Sequence, residues 1–201
     1  MDKKVILFDW DDTLFSKTKY QQNLSETLAR VCGMSSEAVW NLEEEYFNSL
    51  NKSGDFRVDK LLEFVCQKSG KQIDLTNFIA DNPKIYSEAL FSEVVTVLEK
   101  LKKKFILGIY SQGFIDLQKT KIVFSGIKNY FNKDLIYLNK DKLESEFIKT
   151  LPNKAIVVDD KKEVIETLKH QRPDLELIWI NRKDEEKMER VKTIQSLTEL
   201  L

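Results

Sequence analysis

Apolar positions along this chain change period twice. Residues Val5–Phe8 are consecutive and apolar, rich in the branched and aromatic side chains that strands favour. The run stops at Asp9, and Asp11 and Asp12 follow, so a buried strand is predicted to end at Asp9 with acids beyond it. From residue 16 to about 90 the apolar residues recur at helical spacing. Leu24, Leu28, Val31 and Cys32 form one stripe, stopped by Gly33. Val39, Leu42, Tyr46, Phe47 and Leu50 form a second, with Ser35 or Ser36 as its cap. Turn residues run from Asn51 to Asp55, and a third stripe, Val58, Leu61, Leu62, Val65 and Cys66, stops at Gly70. A further helical piece spans Leu75 to Ala80, before Asn82-Pro83. Residues 16–90 show no strand pattern and read as an all-helical insertion. Its aromatics (Trp40, Tyr46, Phe47, Phe56, Phe64) are read as core.

Beyond residue 91 helix and strand alternate. A capped amphipathic helix opens at Ser92, and strands are predicted at 105–110, 135–138, 155–158 and 175–180. Helical stretches separate them at 114–124, at 144–151 before Pro152, and around Val164, Ile165 and Leu168 before Pro173. The tail, with Val191, Ile194, Leu197, Leu200 and Leu201, reads as a last helix packed back on the core. With Val5–Phe8 there are five predicted strands. Their alternation with helices implies an α/β fold with a parallel sheet and right-handed crossovers.

Composition narrows the function classes. The 201 residues carry 32 basic and 33 acidic side chains, net −1, so the basic footprint of a nucleic-acid binder is missing. Lys102-Lys103-Lys104 reads as a solvated helix end suited to the helix dipole. No apolar run approaches the roughly 20 residues that cross a bilayer, and the first run ends in acids too early for a signal peptide. Cys32, Cys66 and the single His170 share no metal spacing, and both cysteines read as buried thiols. A cytoplasmic, reducing location is expected, with no nucleic-acid or membrane partner. Oligomeric state is not written in the pattern.

In parallel strands every carboxyl end lies on one edge, where open α/β sheets bind their ligands. Asp9, Ser111 and the pair Asp159-Asp160 each follow a predicted strand, so the three groups can converge. Crowded carboxylates are costly: two unit charges about 4 Å apart repel by roughly 4 kcal/mol at an effective dielectric of about 20. A cation relieves that cost, and Mg²⁺ suits an all-oxygen site that keeps some water.

Asp9-Trp10-Asp11-Asp12-Thr13-Leu14 resembles motif I of the haloacid dehalogenase-like (HAD) superfamily, Asp-x-Asp-x-Thr/Val. Ile109-Tyr110-Ser111 resembles motif II, and Val157-Val158-Asp159-Asp160 is similar to motif IV. The order and separation agree over essentially the whole chain. The resemblance implies a Rossmann-like core, residues 1–15 and 91–201, with helices on both faces of a five-stranded sheet. Residues 16–90 then correspond to a C1-type helical cap that closes over the site and selects the leaving group.

The resemblance also implies roles. Asp9 matches the nucleophile that forms an aspartyl-phosphate, and Asp11 the acid/base that protonates the leaving oxygen and then activates water. Ser111, with Gln112 beside it, matches the phosphate-binding position. Asp160 matches a Mg²⁺ ligand alongside Asp9 and the backbone carbonyl of Asp11, with Asp159 supporting the metal. The motif III lysine is Lys142 or Lys140, Lys142 fitting the apolar face of Phe147, Ile148 and Leu151 better; Lys149 and Lys154 fit worse. Asp12 stands where glycine is frequent, no proline follows Lys142, and Val164 replaces a second acid after Asp160. Glu163 reads as an exposed first-turn glutamate or an outer ligand.

The expected activity is a Mg²⁺-dependent phosphomonoesterase acting on a small phosphorylated metabolite. A sugar phosphomutase uses the same Asp pair. A receiver-like signalling module, which accepts phosphate after its third strand, would find only Asn139-Lys140 there. A non-catalytic phosphate-binding or interaction protein on the same fold is the remaining alternative.

Overall fold

A computed structural model of the chain describes residues 3–50 and 56–201, so the turn predicted at Asn51 to Asp55 lies outside the described residues. The first strand of the chain sits in the middle of its sheet. Among the described residues there are six strands: β1 (Val5–Phe8), β2 (Ile106–Gln112), β3 (Ile136–Asn139), β4 (Ile156–Asp159), β5 (Glu176–Ile180) and β6 (Lys192–Ile194). All pair in parallel, in the order β3-β2-β1-β4-β5-β6. Phe8 therefore stands in register with Ile109 on one side and Val158 on the other. The carboxyl ends of β2, β1 and β4 are thus neighbours, and the order of the strands alone brings Ser111, Asp9 and Asp159 to one edge.

The expectation of five strands is corrected by β6, read from the sequence as part of a helix. The spacing of Val191, Ile194 and Leu197 fits a helical face, but Thr193 and Ile194 are β-branched and pair with Trp179 and Ile180 of β5. The Asn181 N–H donates to the Ile194 carbonyl at 2.8 Å and extends the ladder. Only the single 3₁₀ turn Leu197–Leu200 follows, capped reciprocally by Ser196 and Glu199.

The chain divides into two compact units, residues 1–16 with 90–201, and residues 17–89. The second contains α1 (Lys17–Cys32), α2 (Ser36–Ser49), α3 (Val58–Ser69), α4 (Leu75–Asp81) and α5 (Lys84–Ser87), and no strand among its described residues. Gly33 and Gly70, at φ +65° and +69°, end α1 and α3 in the left-handed conformation that glycine adopts without a Cβ clash. Ser35 caps α2 by accepting the Ala38 N–H. Tyr46 packs with Phe47, Phe56 and Phe64 at ring separations of 5.9–6.2 Å. Trp40 departs from the sequence reading: it is 55% exposed. Val31 is also exposed, its expected place on the buried face of α1 being held by Tyr20, Ser25 and Ala29. Cys32 is buried and Cys66 only partly so.

The remaining helices are α6 (Val94–Leu101), α7 (Ile115–Phe124), α8 (Ser145–Lys149) and α9 (Lys162–Gln171). The N-terminus of α6 falls at Glu93 and has no side-chain cap, contrary to the reading from Ser92. Leu7, Tyr110 and Val157 pack with Ile148 of α8 and Val164 and Leu168 of α9. Ile6 and Phe8 alternate with Leu7 and are equally buried, so the sheet is covered on both faces. Gly108 in β2 permits a close approach: a Cβ there would sit 2.6 Å from the Leu135 carbonyl oxygen and 2.7 Å from Leu7 Cδ2. Among the described residues no helix is long and apolar enough to cross a membrane.

Candidate active site

The N–H of Asp9 donates to the Val158 carbonyl at 2.8 Å, one residue past β1, so its side chain is held by the same ladder that aligns β4. The chain then turns sharply. Asp12 takes φ +65°, its N–H donating to the Phe15 carbonyl at 2.6 Å. This is the left-handed region, which accounts for glycine at this position in the motif; an aspartate tolerates it better than most residues. The Asp11 carboxylate, just before this turn, meets side chains of α7.

Asp9, Asp159 and Asp160 form an acidic trio. Each offers a carboxylate oxygen, and these lie within 4.8 Å of one another. Lys142 bridges two of them, its Nζ 2.6 Å from Asp9 Oδ1 and 2.5 Å from Asp159 Oδ2. Its side chain is fully buried, and its carbonyl accepts a hydrogen bond from the Tyr110 hydroxyl. Asp159 Oδ1 also accepts the Lys161 N–H at 2.9 Å. Among the described residues Asp9 Oδ2 accepts no hydrogen bond. Burial pushes the Asp9 carboxyl up to about 7; Lys142 opposes the rise and the charge of Asp159 adds to it. Asp159 is raised by burial as well, against the pull of Lys142. Burial would depress Lys142, but Asp9 and Asp159 together more than offset it, and its ammonium is held above the usual lysine range.

An all-oxygen trio suits a divalent cation: ligands about 2.1 Å from an Mg²⁺ lie at most about 4.2 Å apart when opposite, so oxygens spread over as much as 4.8 Å would close by a few tenths of an ångström around the ion. One ammonium also leaves two buried carboxylates with a net negative charge that a cation would neutralise. Asp9 and Asp160 would hold it, with Asp159 oriented by Lys142 and Lys161.

Of the two lysine candidates, Lys142 meets the acids; Lys140 is exposed, its Nζ 5.3 Å over the Phe114 ring. Lys149 pairs with Glu146 on the surface, and Glu163 is exposed. The Asp11 carboxylate is outside the trio, so any part it has in holding a cation falls to its main-chain carbonyl. Ser111 is the last residue but one of β2 and is 1% exposed. Gln112 contributes its carbonyl, which accepts from Gln118 Nε2 at 2.8 Å.

Three residues escaped the sequence reading. Lys121 Nζ contacts both oxygens of Asp11, at 2.7 and 2.9 Å. Gln118 Nε2 reaches Asp11 Oδ2 and Ser111 Oγ, each at 3.0 Å. Both are buried on α7. Their signal was a helix whose inner face carries Gln118, Lys121 and Ser125 beside Ile122, polar residues where a purely packing helix needs apolar ones. Arg182 follows β5, at the same sheet edge as the acids. Its Nη2 donates to the Thr13 carbonyl at 2.8 Å, its Nη1 pairs with Glu93 at 2.8 Å, and it stacks 3.7 Å over the Phe91 ring.

No family model matches the sequence, and no curated protein matches it. Solved structures do. The HAD-hydrolase YfnB from Bacillus subtilis, solved bound to magnesium, is 15% identical with a TM-score of 0.60, over 100% of this chain and 97% of that one. A HAD phosphatase from Thermococcus onnurineus is 18% identical with a TM-score of 0.59, over 98% and 95%. A 2-haloacid dehalogenase from Pseudomonas syringae pv. tomato is 20% identical with a TM-score of 0.57, over 99% and 96%. Identities this low establish the fold, and the fold is that of the haloacid dehalogenase-like hydrolases.

Proposed function

From the haloacid dehalogenase-like fold as premise, we propose that this chain is a Mg²⁺-dependent phosphohydrolase that cleaves a small phosphomonoester through an aspartyl-phosphate on Asp9. The observation that carries this reading is the trio of Asp9, Asp159 and Asp160, its oxygens within 4.8 Å and bridged by Lys142. A bound Mg²⁺ supplies charge neutralisation for the phosphoryl oxygens and the attacking carboxylate. Asp9 attacks phosphorus with the oxygen that Lys142 does not engage. Lys142 keeps Asp9 and Asp159 side by side against their mutual repulsion. Ser111 donates to a phosphoryl oxygen. Asp11 protonates the departing oxygen and then takes a proton from the water that opens the aspartyl-phosphate.

A phosphatase accounts for Asp11 better than a dehalogenase does. A halide leaves without a proton, so dehalogenation has no use for an acid two residues after the nucleophile. A phosphomutase would use the same pair and differs only in where the phosphoryl group goes. The experiment is turnover of an aryl phosphate by the purified chain with Mg²⁺, by its Asp9→Asn variant, and after EDTA. Turnover that Asp9→Asn abolishes with circular dichroism unchanged, and that EDTA removes and Mg²⁺ restores, supports the reading. Undiminished turnover by Asp9→Asn sinks it.

A further inference from the structure

The acid/base aspartate is held by a second set of residues. The two Asp11 oxygens face Lys121 Nζ at 2.7 and 2.9 Å, and Lys121 is 7% exposed along its side chain. Gln118 Nε2 has three neighbours: Asp11 Oδ2, Ser111 Oγ and the Gln112 carbonyl. Two of these, the carboxylate and the carbonyl, can only accept. They fix the orientation of the amide, with nitrogen toward the site. An amide nitrogen accepts no hydrogen bond, so the Ser111 proton cannot point at Gln118 Nε2. Gln118 Oε1 has no partner among the described residues, so the proton is not spent there either. Ser111 is therefore left as a donor for a ligand oxygen. Space for the amide is built in: Gly113, at φ +144°, has no side chain where a Cβ would stand 3.3 Å from Gln118 Nε2.

We propose that Gln118 and Lys121 are positioning residues: Lys121 clamps the Asp11 carboxylate, and Gln118 ties it to Ser111 while leaving the Ser111 proton for a phosphoryl oxygen. This rests on the phosphohydrolase reading for the role of Asp11; the donor state of Ser111 follows from the hydrogen bonds alone. Both act through Asp11 and Ser111, and neither contacts the nucleophile Asp9 in the hydrogen bonds of the described residues. They couple the group that moves the proton to the group that grips the phosphate, so both keep one geometry relative to β1 and β2.

Two measurements test this on the full chain. In steady-state turnover of an aryl phosphate with Mg²⁺, Lys121→Met is expected to lower kcat by about 100-fold and leave KM within about threefold, the signature of a misplaced group rather than lost binding. Lys121→Arg, which keeps the charge, recovers at least about tenfold of that loss. In an Asp11→Asn background Lys121→Met has no more than about a threefold further effect, because the clamp acts through Asp11. Should Lys121→Met not fold, Lys121→Gln takes its place under the same criteria. The second measurement is calorimetry of inorganic phosphate binding with Mg²⁺ present, which needs no turnover; Gln118→Leu is expected to weaken binding about tenfold by freeing the Ser111 hydroxyl to rotate. A kcat within about threefold of wild type in the neutral Lys121 variant, or unchanged phosphate affinity in Gln118→Leu, overturns the proposal. A wild-type chain that binds phosphate but turns over no phosphomonoester defeats the phosphohydrolase reading instead, and the calorimetry still decides the role of Gln118.

Discussion

Lys142 Nζ lies 2.6 Å from Asp9 Oδ1, although the two residues are 133 positions apart. The same ammonium lies 2.5 Å from Asp159 Oδ2, and all three side chains are at least 95% buried. One positive charge thus holds two almost wholly buried negative ones. Such a cluster is a poor device for stability, since desolvation consumes most of the Coulomb attraction. It is a good device for presenting carboxylates to a cation and a phosphate.

Removing that ammonium should be expensive. Lys142→Met leaves Asp9 and Asp159 facing each other with no counter-charge, and breaking a buried pair costs about 3–5 kcal/mol. The sign with pH follows from Asp9, whose carboxyl already stands at about 7 in the presence of Lys142. A folded value above the unfolded one favours the fold at low pH, and the benefit fades as pH rises through the folded value. Without Lys142 that value moves higher still. The urea midpoint of Lys142→Met should fall below wild type by more at pH 8 than at pH 5.5.

A cation at the trio should be visible without any substrate. A ligand that binds only the folded chain stabilises it by about 2.7 kcal/mol at a hundredfold excess over Kd. For a chain of this size that is on the order of 5–10 °C in Tm. Mg²⁺ should raise the melting temperature, EDTA should reverse the rise, and Asp160→Asn should remove most of it. A melting curve of Asp160→Asn that responds to Mg²⁺ like wild type would take Asp160 out of the metal site.

In the helical unit, Glu43 is 2% exposed and its Oε2 accepts from the Ser25 hydroxyl at 2.6 Å. Burial raises its pKa, the serine hydrogen bond opposing it. The folded state therefore prefers the protonated form. That contribution is fully present below the unfolded carboxyl range and is lost as pH climbs through the raised value, so the ionised side chain is a burden at neutral pH. Glu43→Gln mimics the protonated state. It should stabilise the chain by about 1 kcal/mol at pH 7.5 and have little effect near pH 4, read from urea midpoints at the two pH values.

Gly108→Ala should destabilise the sheet. Its Cβ would meet backbone, the Leu135 carbonyl oxygen at 2.6 Å, as well as Leu7 Cδ2 at 2.7 Å. Backbone cannot turn aside as a side chain can, so a cost of about 1–3 kcal/mol is expected in chemical denaturation. Loss of this size with the Mg²⁺-dependent shift retained would separate packing at β2 from the site at its end.

Much of the site was legible before any coordinates. Asp9, Ser111, Asp159 and Asp160 each end a short apolar run, and parallel strands put such ends on one edge whatever the loops do. That inference needs only the period of the hydrophobic residues and the handedness of crossovers. Lys142 and Lys140 were separated less directly, by the apolar face of Phe147, Ile148 and Leu151 that follows. Both precede that helix in a loop, which has no period of its own, so the spacing favoured Lys142, and the fold places its ammonium between Asp9 and Asp159 and leaves Lys140 exposed.

The amino-acid order by itself determined the parallel α/β core, the helical block between the first and second strands, and the acids at the strand ends, because each is a local pattern read over a few residues. Only the tertiary structure decided the rest. β6 is a three-residue strand that exists through pairing with β5, Trp40 is exposed although its type favours burial, and Lys121 and Gln118 close on Asp11 from a helix more than a hundred positions away. The reason is the same in each case. Pairing partners, solvent exposure and the counter-charge of a carboxylate are properties of what lies across the fold, and the residues next along the chain carry no record of them.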